Sequence, residues 1–184
     1  MIDPHEAMWE QIGQGVAAPF PHGWPADEFL FFSPRDPGVH GALAAVLGSA
    51  QLSVKVNMYG YDDDKLDGIL REKASHPDIT FQMSLDSSQA GGVHERALLA
   101  PWATSVGTSV AVGRSAKKAI SHLKVAVIDG LYTISGSTNW SASGEGQQDN
   151  ELRISRNPFV AARYSAVLDL NHSEMLRQMA AKRP

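Results

Sequence analysis

Two apolar runs in the second half of the chain, LKVAVID (123–129) and LYTISGS (131–137), are separated only by Gly130. Strand-like runs that close together read as a tight hairpin of two antiparallel neighbours. Upstream the pattern is different. EFLFFSP (28–34), LSVKVNMYG (52–60), ITFQMSLD (79–86) and TSVAVG (108–113) read as strands, and most are separated by segments of helical character. Strand–helix alternation followed by a late hairpin predicts an α/β fold: a sandwich of helices around a mixed β-sheet.

The helical segments carry their own signals. Asp3 suits an N-cap, with Pro4 in the first turn and Glu6 at capping-box spacing. That helix ends before the proline-rich PFPHGWP (19–25). Asp36 and Pro37 mark a second start, with Val39, Leu43, Val46 and Leu47 on one face. Residues 62–76, DDDKLDGILREKASH, begin acidic and end basic, as the helix dipole favours. A short helix is expected over 94–102 and a long terminal one over 158–179, with a strand at 151–157 before it. Residues 1–25 then form an N-terminal helix and linker lying on a main domain of 26–184.

A chain of 184 residues suits one domain, and 43% hydrophobic residues suffice for a core. With no cysteine, disulfides, zinc–thiolate sites and thiol nucleophiles are excluded. The net charge of -4 is not the strong positive field of a typical nucleic-acid binder, although the placement of cations matters more than their sum. The N-terminus has no apolar h-region and no window is apolar enough to span a bilayer, so a cytoplasmic location is expected.

The chemistry concentrates in the hairpin. His122, Lys124 and Asp129 satisfy His-x-Lys-x4-Asp, and after six intervening residues Gly136, Ser137 and Asn139 follow as Gly-Ser-x-Asn. Alternation along a strand sends His122 and Lys124 to one face and Leu123, Val125 and Val127 to the other. A lysine is a compact cation for a phosphoryl oxygen, histidine can act as a covalent nucleophile, and Ser137 and Asn139 can supply further donors.

This constellation resembles the phospholipase D superfamily signature, the HKD motif, and the strand–helix order resembles that family from about Glu28 to the C-terminus. The resemblance implies a phospholipase D-like α/β/α sandwich and a metal-independent phosphodiesterase acting through a phosphohistidine, with no cofactor. It implies catalytic roles for His122, Lys124, Asp129, Ser137 and Asn139, with Asp129 more plausibly structural or lysine-orienting. Glu151 is the candidate carboxylate for orienting the histidine, and Asp149 is the alternative. The mechanism needs two histidines, yet none of the other six has a lysine two residues on. A short single-motif chain resembles the small bacterial Nuc-type endonucleases, in which two motifs meet across a twofold axis. A homodimer through the HKD face is therefore expected. Nucleic acid is the expected substrate. Phospholipid hydrolysis or transphosphatidylation is the alternative, and an inactive phosphate- or nucleic-acid-binding module is the alternative of another class.

Three features have plainer readings. Arg114, Lys117 and Lys118, in GRSAKK (113–118), could bind substrate phosphate or form a solvated loop. Trp140 could stack on a base or pack under the turn. Tyr59 and Tyr61 sit at a strand end, where pocket walls form. The acidic run at 62–65 reads as a solvated helix N-terminus, and no clustered His/Asp/Glu metal pattern is visible.

Overall fold

The computed structural model describes residues 4–16, 27–89 and 108–181. Its strands are β1 (Glu28–Ser33), β2 (Ser53–Met58), β3 (Thr80–Asp86), β4 (Thr108–Gly113), β5 (Lys124–Ile128), β6 (Tyr132–Gly136) and β7 (Asn150–Arg156). Its helices are α1 (Pro4–Gln14), α2 (Val39–Gly48), α3 (Asp64–Ser75), α4 (Ala142–Gly146) and α5 (Pro158–Ala180). The expected cap at Asp3, the loop at 19–25 and the helix at 94–102 lie outside the described residues.

All seven strands join one sheet in the order β1-β7-β6-β5-β2-β3-β4. The pairs β2–β3 and β3–β4 are parallel, whereas β5 pairs antiparallel with both β2 and β6. The sheet is therefore mixed, and β5 sits at its centre. All five residues of β5 are buried, because helices cover both faces. On one face Val54, Val56, Phe81, Met83, Ala126 and Ile128 enter the large core with Leu43, Leu47, Leu66 and Leu70 of α2 and α3. Met8, Trp9 and Ile12 of α1 extend that same core. On the other face Val125 and Val127 pack beneath Ala161 and Leu168 of α5.

Local chemistry sets most boundaries. Asp63 caps α3 by accepting the Leu66 N–H, and Asn157 caps α5 by accepting the Phe159 and Val160 N–H groups. Helix α2 starts at Val39, later than the expected Asp36, because the Asp36 carboxylate accepts the Phe32 N–H at 2.6 Å and closes the turn after β1. Helix α4 was not foreseen. Its sequence, ASGEG, has poor helix propensity, and it is held by Ser141, whose hydroxyl accepts the Gly144 N–H.

The hairpin between β5 and β6 turns on Asp129 (φ 54°) and Gly130 (φ 65°), with the Leu131 N–H donating to the Ile128 carbonyl. Positive φ at both central residues is the primed turn that matches strand twist, and Asp and Gly tolerate it. Asp129 does more than turn the chain. Its carboxylate accepts the N–H groups of Gln51, Leu52 and Ser53 at 2.8–2.9 Å, tying the hairpin to the start of β2.

Replacing Asp129 by alanine removes three charge-assisted hydrogen bonds and is expected to cost about 2–3 kcal/mol in chemical denaturation. Asp129→Asn, which keeps an acceptor oxygen and tolerates the turn, is expected to lose less.

Candidate active site

The strand that carries the motif, β5, begins where the antiparallel β2 ends, since Lys124 pairs with Met58. His122 lies just before β5 and is exposed, while Lys124 is only 4% exposed. The alternation holds for Val125 and Val127, which face α5 with Leu123 packed against them. The opposite side is not a polar face, because Ala126 and Ile128 enter the large core. Polarity is confined to the end of the strand.

Burial shapes Lys124. It pushes the ammonium down to about 8 from the ordinary lysine value. One N–H donates to the His122 carbonyl oxygen at 3.0 Å, and the Nζ stands 4.7 Å from the Tyr59 ring centroid. An ammonium has three donors, so two remain without a hydrogen-bond partner among the described residues. Such a cation is suited to an incoming anion.

Two buried polar groups hold the segment that carries His122. Asp86, fully buried at the end of β3, accepts the Ser121 N–H at 2.6 Å. Asn57 of β2 donates to the Ser121 hydroxyl at 3.2 Å. Tyr59 then packs against the imidazole, with ring centroids 4.6 Å apart. These positioning groups were missed in the sequence. Their signals are local but weak: Asp86 closes a parallel strand, and Ser121 directly precedes His122.

The second half of the signature reaches the same place through Gly60. The Asn139 Oδ1 accepts the Gly60 N–H at 3.2 Å, the Trp140 N–H donates to the Gly60 carbonyl, and the Asp62 N–H donates to the Trp140 carbonyl. A short parallel bridge, Tyr61 with Trp140, results. With its oxygen engaged, the Asn139 amide keeps its NH₂ donors without a hydrogen-bond partner among the described residues. A Cβ on Gly60 would stand 2.9 Å from the Asn139 Cγ, so the close approach requires glycine. Gly136, at φ 148°, is required for a similar reason, since a Cβ there would overlap the Glu151 carbonyl oxygen.

His122, Lys124 and Asn139 therefore gather around Tyr59–Gly60. Other candidate residues do not. Asp129 sits at the far end of β5, where it holds the start of β2. It is separated from Lys124 by a strand about 17 Å long at ordinary rise, so it cannot orient the lysine. Trp140 is fully buried under the turn and cannot stack on a substrate. Tyr61 is also buried, and its hydroxyl donates to Asp67. The Ser137 hydroxyl accepts the Glu151 N–H and donates to Asn150 Oδ1, pinning the turn to β7. Glu151 is exposed, and with Asp149, Ser137, Phe32 and Arg35 it lines a cavity of about 850 Å³. Neither acid hydrogen-bonds His122 within the described chain. Arg114, Lys117 and Lys118 lie exposed on the loop between β4 and β5. Arg114 donates to the Lys118 carbonyl. Among the described residues, the one cluster of three potential metal ligands is His40, Asp63 and Glu145, none of them in the motif.

Residues 43–169 match the family described as "Cardiolipin synthase, PLD-like domain". No curated protein sequence matches the chain. Among solved structures, NucT from Helicobacter pylori is similar, with a TM-score of 0.71 at 20% identity, over 82% of this chain and 95% of that one. Nuc from Salmonella typhimurium, a phospholipase D family member, gives 0.68 at 18% identity, over 80% and 94%. The phosphatidylserine synthase of Haemophilus influenzae gives 0.60 at 9% identity, over 79% of this chain but 38% of that one.

Sulfate keeps its charge between pH 7 and 10 and so tests Lys124 directly. Its affinity is expected to hold below about pH 8, then weaken about tenfold per pH unit well above it. Stability carries the complementary sign. Between about 8 and 10.5 the unfolded chain binds the extra proton, so the unfolding free energy rises with pH in that window. Gly60→Ala is expected to displace the Asn139 amide and weaken sulfate binding about tenfold while the chain stays folded, as read by calorimetry and circular dichroism.

Proposed function

The chain belongs to the PLD-like domain family of cardiolipin synthase, and from that premise we propose that it is a nuclease, a metal-independent phosphodiesterase whose site is completed by a second copy. The observation that carries this reading is the gathering of His122, Lys124 and Asn139 around Tyr59–Gly60, with donors on Lys124 and Asn139 that have no partner among the described residues. A nucleophile beside a desolvated cation and a primary amide suits in-line displacement at a phosphodiester.

In the proposed reaction the neutral imidazole of His122 attacks phosphorus, and the P–O bond to the leaving group breaks. His122 of the second copy, protonated at the start, gives its proton to the leaving oxygen. The same histidine then removes a proton from water, which attacks the phosphohistidine and restores the first imidazole. Lys124 and Asn139 hold the non-bridging oxygens throughout. Glu151, with Asp149 beside it, is the proposed acceptor for the other ring N–H. Because it makes no hydrogen bond to His122 within the chain, it is assigned to the histidine across the twofold axis.

The nucleic-acid assignment is supported by length. NucT and Nuc are matched over 95% and 94% of their own chains, so one copy here corresponds to one whole chain of that type. Exposed Lys117 and Lys118, on the loop leading to His122, offer contacts for a phosphate backbone. The exposed Phe32 ring beside the Glu151 cavity favours the lipid reading instead, and substrate assays separate the two.

Purified protein is expected to cleave labelled DNA or RNA in EDTA, and His122→Ala to lower the rate by about a thousandfold or more. Cleavage that needs added metal, or that survives His122→Ala, contradicts the mechanism. Turnover of phospholipid vesicles alone moves the substrate to lipid, and a monomeric mass under active conditions contradicts the composite site.

A further inference from the structure

Away from the motif, three side chains distant in sequence meet where α2, α3 and α4 converge. His40 lies in the first turn of α2, Asp63 caps α3 and Glu145 belongs to α4. The His40 Nδ1 is 2.7 Å from the Glu145 Oε2 and 3.4 Å from the Asp63 Oδ2. One ligand atom from each lies within 4.8 Å of the other two. They border a cavity of about 610 Å³, also lined by Asp36, Asp62, Asp64 and Lys65.

A plain ion pair does not account for this arrangement. The Glu145 side chain is only 5% exposed, and its Oε1 is buried with no hydrogen-bond partner among the described residues. A buried carboxylate oxygen without a partner is costly, and such atoms in folded proteins are nearly always satisfied. Five carboxylates border the cavity against one lysine and one imidazole.

We propose that His40, Asp63 and Glu145 bind a divalent transition-metal ion of the zinc class, at a structural site separate from the phosphodiesterase centre. One imidazole and two carboxylates, without thiolate, form a mixed N/O donor set suited to zinc, with water in the remaining position. Ligand atoms around zinc in tetrahedral geometry stand about 3.4 Å apart, so the His40–Asp63 spacing already fits and the His40–Glu145 hydrogen bond opens by less than about 1 Å. Asp63 is pre-oriented, because its other oxygen, Oδ1, accepts the Leu66 N–H at 2.8 Å. The ion displaces the proton between His40 and Glu145, sets a positive charge beside the buried Glu145 carboxylate and ties together three helices. Two of these helices adjoin the Gly60–Asn139 contact: α3 follows Gly60–Tyr61, and α4 follows Asn139–Trp140.

This inference does not depend on the phosphodiesterase reading, and its readout is metal binding rather than cleavage. The full chain, stripped with chelator and dialysed, is titrated with ZnCl₂ by calorimetry and melted with and without Zn²⁺. Binding of one ion per chain and a higher Tm with Zn²⁺ are expected. Glu145→Gln, nearly the same shape, and His40→Ala are each expected to weaken binding by about tenfold or more. His76→Ala, at the other end of α3, is expected to leave it unchanged. Failure of the wild-type chain to bind Zn²⁺, or unchanged binding in folded Glu145→Gln, overturns the assignment.

Discussion

The site depends on a short stretch of backbone pairing, Gly60–Asp62 against Asn139–Trp140. Residue 59 continues β2, which pairs with the central strand β5, and residue 139 follows the hairpin that begins with the motif. Without the pairing, the two halves of the signature would be separate segments on one sheet edge. With it, Tyr59 packs on His122 and Lys124 while Gly60 holds Asn139. Trp140, fully buried and packed against Tyr61, anchors the pairing in the core. Its contribution is to hold the turn rather than to meet substrate.

Electrostatics follows from the same geometry. The end of β5 is a buried position for a lysine, and desolvation lowers its proton affinity. An anion arriving there restores the favourable environment for the charged form, so binding and protonation reinforce each other. The chain can thus be acidic overall and still present a strong local cation, which weakens the argument from net charge against a polyanionic substrate.

Much of the fold was legible because it is written in local patterns. Alternating apolar runs, the tight hairpin at Gly130 and the proline-started α5 all correspond to short-range rules. The motif itself was legible because its residues are close in sequence. What escaped was determined by long-range contact. The position of Asp129 at the far end of the strand follows from simple strand length, yet its three N–H partners at 51–53 carry no sequence mark. Asp86 and Asn57 act on Ser121 from other strands. His40, Asp63 and Glu145 meet only because helices α2, α3 and α4 converge. Helix α4 was invisible because a serine cap and tertiary packing hold a glycine-rich segment that propensity disfavours.

One copy of the motif supplies one histidine, and the reaction assigned to it uses two in different protonation states. On that assignment each chain supplies half a site. Trapping of the phosphohistidine during turnover by an alkaline detergent quench, in which its P–N bond survives, quantified against total chain, tests this most directly. Half-of-the-sites labelling at His122 is expected, with no label in His122→Ala. Labelling of every chain at His122, or a labelled intermediate on another residue, would contradict it.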